Sequence, residues 1–532
     1  MFQYRAGYSF LTKEELKNMK KIYLYSAALL VCTSMGLQSC ELKSEVYDKI
    51  NASMYPTTAR DARDLVTSNA YGPFQNNEYS GSLNIATGAL LTSDIATDFG
   101  YCSWGGTVWN GLAQANFDKT EDRNTTIMWT RQNEISKMTL CIDRIQGIQM
   151  DEKVKNQYIA ELRCGRGFMA FLVWDMHGPL IVADLETLKN PLAEKILPRM
   201  SQEESIRYIE TELTEAAKVL PKNYVKGDED YGRFTAGLCH TLLMKLYMQT
   251  KQWTKAIAEG RELMKPEYGY SLVTDKGKEK TAYANIFTLA NEKNAETIWA
   301  VNCEEGYQIH LWYPHALNGN LSSSPQGSFS GGWGGYKMMW NFFKTFEPGD
   351  ERTSVIISEY SDGKETYNEA HKGSGANSLA DGVMPLKYKI ESSNVGDHCN
   401  TDWIVYRYAD VLTLLAEAIV HEGNAVTTEA IGLLNQVRTR AGLNAYEASD
   451  FSSPSDFIDK LLWERAHELW YEGCRRQDLI RNDKYVEVMA QKCKDNGWKD
   501  VITEKGKNFY LFPLPTSAIN EGQGKIEQNP GY

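Results

Sequence analysis

LLWERAHELWYEGCRRQDLIR, residues 461–481, is the stretch of the chain that decides the fold. On a helix of about 3.6 residues per turn, apolar residues spaced three and four apart gather into one stripe. The stretch contains such a set, namely Leu462, Ala466, Leu469, Trp470 and Cys474. We therefore predict a helix that faces a core, with an early break available at Gly473.

The same stretch carries a row of three carboxylates, Glu464, Glu468 and Glu472, at helical i, i+4 spacing. Such a row repels itself along a bare helix unless cations lie beside it. Four arginines of the stretch are close enough in sequence to offset the row: Arg465, Arg475, Arg476 and Arg481. Because buried ion-pair lattices also perturb acids, we interpret the network as a structural brace and not as an active site.

Length, composition and charge are those of a large folded protein that does not bind nucleic acid. The chain has 532 residues, of which 42% are hydrophobic and 24% charged, with a formal net charge of −12. This length exceeds a single ordinary core, so we expect a large helical assembly or two tightly packed subdomains. The acidic balance, without any basic run, disfavours nucleic acid, since phosphate binding needs concentrated Lys and Arg.

The N-terminus has the pattern of an exported lipoprotein. A basic segment, MKK at 19–21, precedes an apolar run that is too short to span a bilayer. The segment LQSC at 37–40 resembles a lipobox, although glutamine fits it imperfectly. Residues 19–39 are then a signal peptide, residues 1–18 an upstream extension, and Cys40 the lipidated first residue. No later run reaches about 18 apolar residues, so we expect a lipid-tethered protein that does not cross the membrane.

Catalytic, cofactor and metal patterns do not stand out. Apart from the two in the export segment, the cysteines are scattered without CxxC spacing, so we predict buried thiols and no zinc ribbon. His467-Glu468 lacks the second histidine of HExxH, and the glycines of 165–170 lie inside a helical pattern, unlike a dinucleotide fingerprint. We interpret His310 and His315 as surface or loop histidines. We predict no cofactor, no metal and no catalytic residue.

The middle of the chain alternates helical patterns with turn signals. Residues 125–149 and 151–176 are two long helical patterns, and Ser201 with Glu204 forms a capping box at the start of another. The segment GRFTAGLCHTLLMKLYMQTKQWTKA, residues 232–256, resembles a tetratricopeptide unit of two helices. Repeated helix pairs of this kind predict a stacked scaffold.

Two further helix pairs follow if segments are joined over long sequence distances. Residues 405–422 would pair with 255–264 across an insertion, and residues 428–440 with 457–472. We therefore predict a mainly α fold, a tetratricopeptide-like superhelix of about four helix pairs. A large irregular subdomain with loops and short strands would form the binding face on this scaffold.

The insertion, residues 266–402, differs from the helical segments. It is rich in Gly, Ser and Asn, and its aromatic residues do not keep a helical period; a loop region this long is usually functional. Within it, residues 317–340 set Trp333 and Tyr336 in Gly/Ser-rich sequence, close to Trp312. Rigid rings on such a backbone suit a sugar-stacking surface, because sugar faces present C–H groups to a π-cloud.

A second aromatic loop is predicted at 91–110, LTSDIATDFGYCSWGGTVWN. Two of its carboxylates either accept hydrogen bonds from sugar hydroxyls or cap local turns. The predicted ligand-binding residues of both loops are Tyr101, Trp104, Trp312, Trp333, Tyr336, Asp94 and Asp98. For the aromatic members, burial beneath the surface is an open alternative.

Several segments match, in order along the chain, the motifs of one family of surface proteins. The opening stretch reads ER-x-x-EL-x-x-EG-x-RRxDLIR, and a GPL turn at 178–180 ends the second long helical pattern. Further matching segments are 407–418, 435–442, 511–515 and 528–532. Together these motifs resemble the SusD/RagB family, the surface glycan-binding lipoproteins of Bacteroidetes-type bacteria.

The resemblance implies a non-catalytic lipoprotein, anchored in the outer membrane and facing the extracellular side, that captures an oligosaccharide or polysaccharide. It also implies a partner, a SusC-like TonB-dependent transporter, on which the protein acts as a hinged lid during import. The mature chain would then consist of an N-terminal part at 40–265, the ligand-binding insertion at 266–402 and a C-terminal part at 403–532.

Two alternatives stay open. RagB-like members of the family capture peptides, and a more polar or charged cleft would favour that function over glycan binding. A secreted glycan-active enzyme on a helical scaffold would need two carboxyl groups about 5 Å or about 6.5–9.5 Å apart across one cleft. Acids are abundant, but no feature of the sequence singles out such a pair.

Overall fold

The structure is a computed structural model that describes residues 55–75, 81–86, 88–117, 123–323 and 331–532. The predicted signal peptide, the upstream extension and Cys40 lie outside these residues. All the helices and strands given below belong to one unit, Pro56–Tyr532. Among the described residues, no helix is both long and apolar enough to cross a membrane.

Helices dominate the described part of the chain, and nine of them are longer than ten residues. The α-helices are α1 Ala59–Val66, α2 Ala89–Ile95, α3 Gly106–Ala113, α4 Arg123–Thr130, α5 Asn133–Gln146, α6 Glu152–His177, α7 Leu185–Lys189, α8 Gln202–Ala217, α9 Ala236–Gln249, α10 Trp253–Leu263, α11 Ala282–Ile286, α12 Trp312–Ala316, α13 Trp340–Phe343, α14 Tyr408–Gly423, α15 Thr428–Arg440, α16 Pro454–Glu468, α17 Arg475–Arg481, α18 Tyr485–Asp495, α19 Ile502–Lys505 and α20 Thr516–Glu521.

Strands are short and pair two by two, so the described residues form no extended sheet. The antiparallel pairs are β1 with β3, β2 with β8, β4 with β7 and β5 with β6. The strands are β1 Gly100–Cys102, β2 Thr297–Val301, β3 Tyr336–Met338, β4 Ile356–Ile357, β5 Tyr360–Ser361, β6 Thr366–Tyr367, β7 Met384–Pro385 and β8 Trp403–Arg407.

The long helices pack against one another in a continuous series. Helix α5 contacts α6, α6 contacts α8, and α8 contacts α9, which in turn contacts α10. Helix α10 then packs on α14 across the insertion, and α14 packs on both α15 and α16. The prediction of a mainly α fold with about four helix pairs is therefore confirmed, including the pairing of two helices on either side of the insertion.

Local signals fixed the helix ends better than the helix lengths. The capping box at Ser201 is confirmed, since its hydroxyl accepts from the Glu204 N–H while the Glu204 carboxylate accepts from the Ser201 N–H. The single helix predicted over 125–149 is instead two helices, α4 and α5. Gln132 lies between them, and its side-chain oxygen accepts a hydrogen bond from the Ile181 N–H at 2.8 Å. Such side-chain to backbone bonds compete with helix continuation.

The opening stretch also breaks earlier than predicted. Helix α16 ends at Glu468 and α17 begins at Arg475, with Tyr471 at φ 56° and Gly473 at φ 77° between them. A β-carbon on Gly473 would lie 2.6 Å from a methyl carbon of Leu90, so this turn requires glycine for both conformation and space. The apolar stripe nevertheless lies in the core as predicted, because the turn residues are buried too.

Glu468 is the centre of a buried ion-pair cluster that we call the brace. Its carboxylate contacts the guanidinium groups of Arg407 and Arg440 closely and that of Arg352 at 3.4 Å. Burial opposes its ionisation, but Arg440, Arg407 and Arg352 together hold the pKa of Glu468 well below its ordinary value. The interpretation of the carboxylate row as structural agrees with this complete pairing.

Glu464 and Glu472 extend the brace on either side of Glu468. Glu464 pairs with Arg352 at 2.6 Å and with Arg438 at 3.2 Å. Glu472 pairs with Arg407 at 2.8 Å and with Lys387 at 2.6 Å. All four partners come from other segments of the chain.

The cations predicted to offset the row do not do so. The ion pairs of the described residues link none of the four arginines of the opening stretch to its glutamates. Arg465 instead pairs with Asp410 and Asp478, at 2.8 Å each, and Arg481 pairs with Glu417 at 2.6 Å. Arg465 and Arg481 thereby tie the stretch to α14.

Four histidines and all eight described cysteines are buried. The eight cysteines among the described residues are buried free thiols, which confirms the prediction for them. His310 and His315 are fully buried, so their interpretation as surface or loop histidines is wrong. Burial lowers the pKa of His310 and of His177 to about 3, and that of His315 to about 4. These rings are neutral in the folded state at pH 5.

This burial predicts a loss of stability in acid. Unfolded histidine binds a proton near pH 6.5, whereas the folded rings do so only near pH 3 to 4, so lowering the pH from 7 to 5 favours unfolding. Each such ring lowers the free energy of unfolding by about 2 kcal/mol between pH 7 and pH 5. Asp94 and Asp402 act in the opposite sense, because burial raises the pKa of each to about 7.

We therefore expect His310→Gln to reduce the difference in unfolding free energy between pH 7 and pH 5 by about 2 kcal/mol. The measurement is urea denaturation at both pH values for the variant and the wild type. His371→Gln is the matched control, because His371 is an exposed histidine. An unchanged pH dependence in His310→Gln would contradict the neutral state of this ring.

Candidate functional site

Two tryptophans from distant parts of the chain meet on the surface beside the β1–β3 ribbon. Trp104 and Trp333 are each 37% exposed, and their ring centroids lie 6.2 Å apart at an interplanar angle of 43°. The Trp104 indole N–H donates to the Trp333 carbonyl at 2.9 Å. We call this pair the tryptophan platform; its two rings are fixed relative to each other.

The ribbon and one glycine position Trp104. Strand β1 pairs with β3 in the register Cys102 to Tyr336, and the Ser103 N–H extends this pairing by donating to the Gly335 carbonyl at 2.8 Å. A β-carbon on Gly335 would lie 2.6 Å from the Trp104 ring. Only glycine therefore lets the indole lie against the backbone here.

The backbone of Trp333 is held against helix α12. Its N–H donates to the Pro314 carbonyl at 2.6 Å, and the next residue donates to the Leu317 carbonyl at 2.9 Å. His315 packs against both platform rings, with centroids 5.2 Å from Trp104 and 4.9 Å from Trp333. Because burial lowers the pKa of His315 to about 4, the group behind the platform is uncharged at neutral pH.

Two predicted platform residues are instead part of the core. Trp312 is fully buried and donates its indole N–H to the Leu386 carbonyl at 2.7 Å. Tyr336 is also fully buried, and its hydroxyl donates to the Ile85 carbonyl at 2.5 Å. This corrects the expectation that their rings face a ligand: both support the surface from below, because their polar atoms are satisfied inside.

The two predicted carboxylates also serve the fold. Asp94 is fully buried and accepts from the Gly473 N–H at 2.7 Å, which places it behind the turn that follows α16. Asp98 forms a two-point ion pair with Arg475, at 2.6 Å and 3.0 Å. Asp94 is thus out of reach of a sugar hydroxyl, and Asp98 has its oxygens committed to arginine.

Tyr101 lies away from the platform. In a strand, neighbouring side chains point to opposite faces, so Tyr101 and its partner Lys337 face away from Cys102 and Tyr336. Trp104 contacts Tyr336, with ring centroids 6.0 Å apart, and so belongs to the other face. The structure brings Trp104 and Trp333 together and leaves Tyr101 at a separate place.

Sequence reasoning missed polar and aromatic residues near these rings. Asn377 lies at the platform edge, where its side-chain oxygen accepts from the Gly319 N–H at 2.8 Å; the residue itself is exposed. Trp498 stacks on Tyr101, with centroids 5.7 Å apart and an interplanar angle of 18°. No pattern in the sequence marks Asn377, and Trp498 carries only the weak signal of an aromatic residue after a glycine.

The C-terminal region of the chain matches a known family profile. Residues 356–532, which include the opening stretch and the brace glutamates, match the profile of the SusD family. Over this part of the chain, about a third of its length, the protein is similar to the SusD family. The resemblance read from the motifs is thereby confirmed.

Curated relatives carry the same family name. The chain is 25% identical over 433 residues to SusD-like protein P38 of Formosa agariphila, which covers 75% of this chain and 78% of the relative. It is 30% identical over 141 residues to the starch-binding protein SusD of Bacteroides thetaiotaomicron, covering 25% of this chain and 22% of that protein. The first match extends the similarity to SusD-like proteins well beyond the C-terminal region.

Solved SusD-like structures share the fold. A laminarin binding SusD-like protein superimposes with a TM-score of 0.68 at 19% identity, covering 90% of this chain and 100% of that one. Surface glycan-binding protein A from Bacteroides thetaiotaomicron, in complex with laminarihexaose, gives a TM-score of 0.70 at 20% identity, covering 89% and 100%. The chain thus shares its fold with known SusD-like proteins.

Proposed function

We propose that this SusD-like protein is a non-catalytic glycan-binding protein of the cell surface. One observation carries the proposal: Trp104 and Trp333, which are far apart in sequence, present two partly exposed indoles 6.2 Å apart on a fixed support. Exposed tryptophans on a rigid frame offer apolar area with little loss of conformational freedom on binding.

The geometry suits a sugar better than a charged ligand. Sugar rings present C–H groups to an aromatic face, while their hydroxyls need neighbouring hydrogen-bonding groups. The exposed amide of Asn377 lies beside Trp333, and the neutral His315 adds no charge beneath the rings. Two structural neighbours support the same ligand class, since one is described as laminarin binding and the other was solved in complex with laminarihexaose.

The three parts of the mature chain would divide this work. The N-terminal part, 40–265, contributes Trp104, and the insertion, 266–402, contributes Trp333. The C-terminal part, 403–532, would act mainly as a scaffold through the brace. Capture at the interface of the first two parts would let a movement of one part change the binding face.

We further propose an outer-membrane lipoprotein that faces the extracellular side and closes as a lid on a SusC-like TonB-dependent transporter. Its support is the family relationship together with the lipobox-like segment that ends in Cys40. An oligosaccharide held on the platform would be delivered to the transporter for import. The chain itself would carry out no chemical step on the sugar.

The lipid anchor predicts a simple change of location. Cys40→Ser removes the thiol that would be acylated, so the variant should leave the membrane fraction and appear in the soluble fraction. The measurement is cell fractionation with immunodetection, with labelling by a radioactive fatty acid in parallel. Cys493→Ser, a change of a buried thiol far from the N-terminus, is the control and should stay with the membrane. Retention of the Cys40 variant in the membrane fraction would contradict the anchor.

A glycan array probed beside a peptide library tests the proposed ligand class. We expect the purified protein to bind at least one family of neutral polysaccharides or oligosaccharides and to leave the peptides unbound. Binding of peptides without glycans would replace the proposal by a RagB-like function. Release of shortened sugar products during incubation would show an enzyme.

A further inference from the structure

A groove with the chemistry of a sugar site opens on the other face of the β1–β3 ribbon. It encloses a cavity of about 270 Å³, and we call it the second groove. Side chains from four separate segments line it, with Tyr101, Asn341, Lys372, Asp381, Asp495 and Trp498 among them. Neither Trp104 nor Trp333 lines it, so the second groove is separate from the tryptophan platform.

The wall of the second groove is a pair of half-buried aromatic rings. Tyr101 and Trp498 stack on each other nearly in parallel, with ring centroids 5.7 Å apart. Trp340 closes the floor; it is 8% exposed and its indole N–H donates to the Leu379 carbonyl at 2.7 Å. Both rings line the cavity, and aromatic rings of this kind offer the apolar surface against which sugar faces pack.

Hydrogen-bonding groups surround these rings. Among the described residues, the Asp381 carboxylate forms no hydrogen bond and no ion pair within 4.0 Å, although it interacts electrostatically with the buried Lys337. Among the described residues, the Asp495 carboxylate accepts only from the side-chain amides of Gln491, at 2.6 Å, and of Asn341, at 3.5 Å. Carboxylate oxygens without a cationic partner are strong acceptors for hydroxyl groups.

The charges around the second groove bear on whether it suits a neutral or an anionic sugar. Two carboxylates, Asp381 and Asp495, face one ammonium, that of Lys372, which lies 5.2 Å from the centre of the Trp340 ring. Two buried ammonium groups lie behind the lining, those of Lys492, 5.9 Å from the centre of the Trp498 ring, and of Lys337, which interacts with Asp381. The charges around the groove are therefore close to balanced, and no excess of cations selects a uronic acid or a sulfated sugar over a neutral one.

The groove continues past this cavity. A second depression of about 300 Å³ shares Met339, Asn341, Asp495 and Asn496 with it and reaches Trp463, which is 42% exposed. The opening stretch therefore also contributes one exposed aromatic ring to a surface. A path of this length fits several linked sugars better than one small molecule.

We propose that the second groove is a second carbohydrate subsite, which holds neutral sugar residues of the same polymer that the tryptophan platform binds; this inference rests on the glycan-binding function proposed above. Trp104 follows Tyr101 by three residues, about 10 Å along a strand, so one polysaccharide chain can reach both places. A second contact on the same chain raises the overall affinity, because the second binding step is intramolecular.

Native affinity electrophoresis tests this subsite with gels that contain laminarin, starch, galactomannan or xyloglucan as neutral polymers, or polygalacturonate as an anionic one. On a neutral polymer that retards the wild type, Trp498→Ala should weaken binding roughly tenfold. Asp381→Asn, which preserves the shape of the side chain, should also weaken it. Tyr307→Ala, which removes an aromatic ring that is 87% exposed and elsewhere on the surface, is the control and should bind as the wild type does.

The outcomes separate this inference from the proposed function. If Trp498→Ala and Asp381→Asn bind like the wild type while a Trp104→Ala, Trp333→Ala double variant does not, the second subsite is overturned and the platform stands. If only the groove variants lose binding, the platform fails instead. Retardation of the wild type by none of the neutral polymers overturns both, and retardation by polygalacturonate alone overturns the assignment of neutral sugars. Melting temperatures of all variants establish that each is folded.

Discussion

Glu468→Gln should lower the free energy of unfolding by about 3–5 kcal/mol, the largest effect expected of a single substitution in this protein. The carboxylate lies fully buried against Arg352, Arg407 and Arg440. Glutamine keeps the shape of the side chain but removes the charge and replaces one acceptor oxygen by an NH2 donor, so the three guanidinium groups lose a shared anionic partner. Buried charges without sufficient compensation are far costlier than the net value of the pair.

Chemical denaturation followed by circular dichroism measures this effect. Glu429→Gln is the matched control, since Glu429 pairs with Arg261 at 3.1 Å on the surface, where both side chains are about half exposed. Surface pairs of this kind contribute about 0–1 kcal/mol, so the control should be nearly neutral. Equal effects of the two substitutions would show that the brace does not stabilise the fold.

The Trp104→Ala, Trp333→Ala double variant should bind its glycan at least roughly 100-fold more weakly than the wild type, and each single variant roughly tenfold more weakly. Each substitution removes one aromatic face, and two tenfold losses multiply to a hundredfold loss. Trp333→Ala keeps the backbone carbonyl that accepts from the Trp104 indole at 2.9 Å, so it leaves the Trp104 ring in place. Calorimetry with the polysaccharide chosen on the glycan array gives the affinities.

Gly335→Ala provides a second and independent test of the platform. Its new β-carbon would lie 2.6 Å from the Trp104 ring, so the indole must move although no aromatic group is lost. We expect weaker glycan binding, with Tyr307→Ala as the surface control that binds normally. Full affinity in Gly335→Ala would mean that the position of the Trp104 ring does not matter.

Local pattern was enough to predict the scaffold. Apolar spacing identified the long helices, and the Ser201 capping box located a helix start, because both signals act within a few residues. The same reasoning failed at the end of α16, where Tyr471 adopts a positive φ that its residue type does not announce. It also failed for the cations of the brace: Arg352 and Arg407 reach Glu468 from distant segments.

The binding face was predictable only in part, for the same physical reason. Aromatic residues in Gly-rich sequence marked both loops, and Trp104 and Trp333 came from that signal. Whether a ring is exposed depends, however, on tertiary contacts that the local sequence does not show. Trp312 is fully buried, and its indole N–H donates to the Leu386 carbonyl. Loop 91–110 is also less irregular than predicted, since it contains part of α2, strand β1 and most of α3.

A crystal structure of the protein with an oligosaccharide from the polysaccharide that binds best tests the central claim most directly. We predict that a sugar ring lies in van der Waals contact with the exposed faces of Trp104 and Trp333, with a hydroxyl group hydrogen-bonded to the amide of Asn377. An oligosaccharide bound where it contacts neither tryptophan would contradict the claim that this pair is the glycan-binding platform.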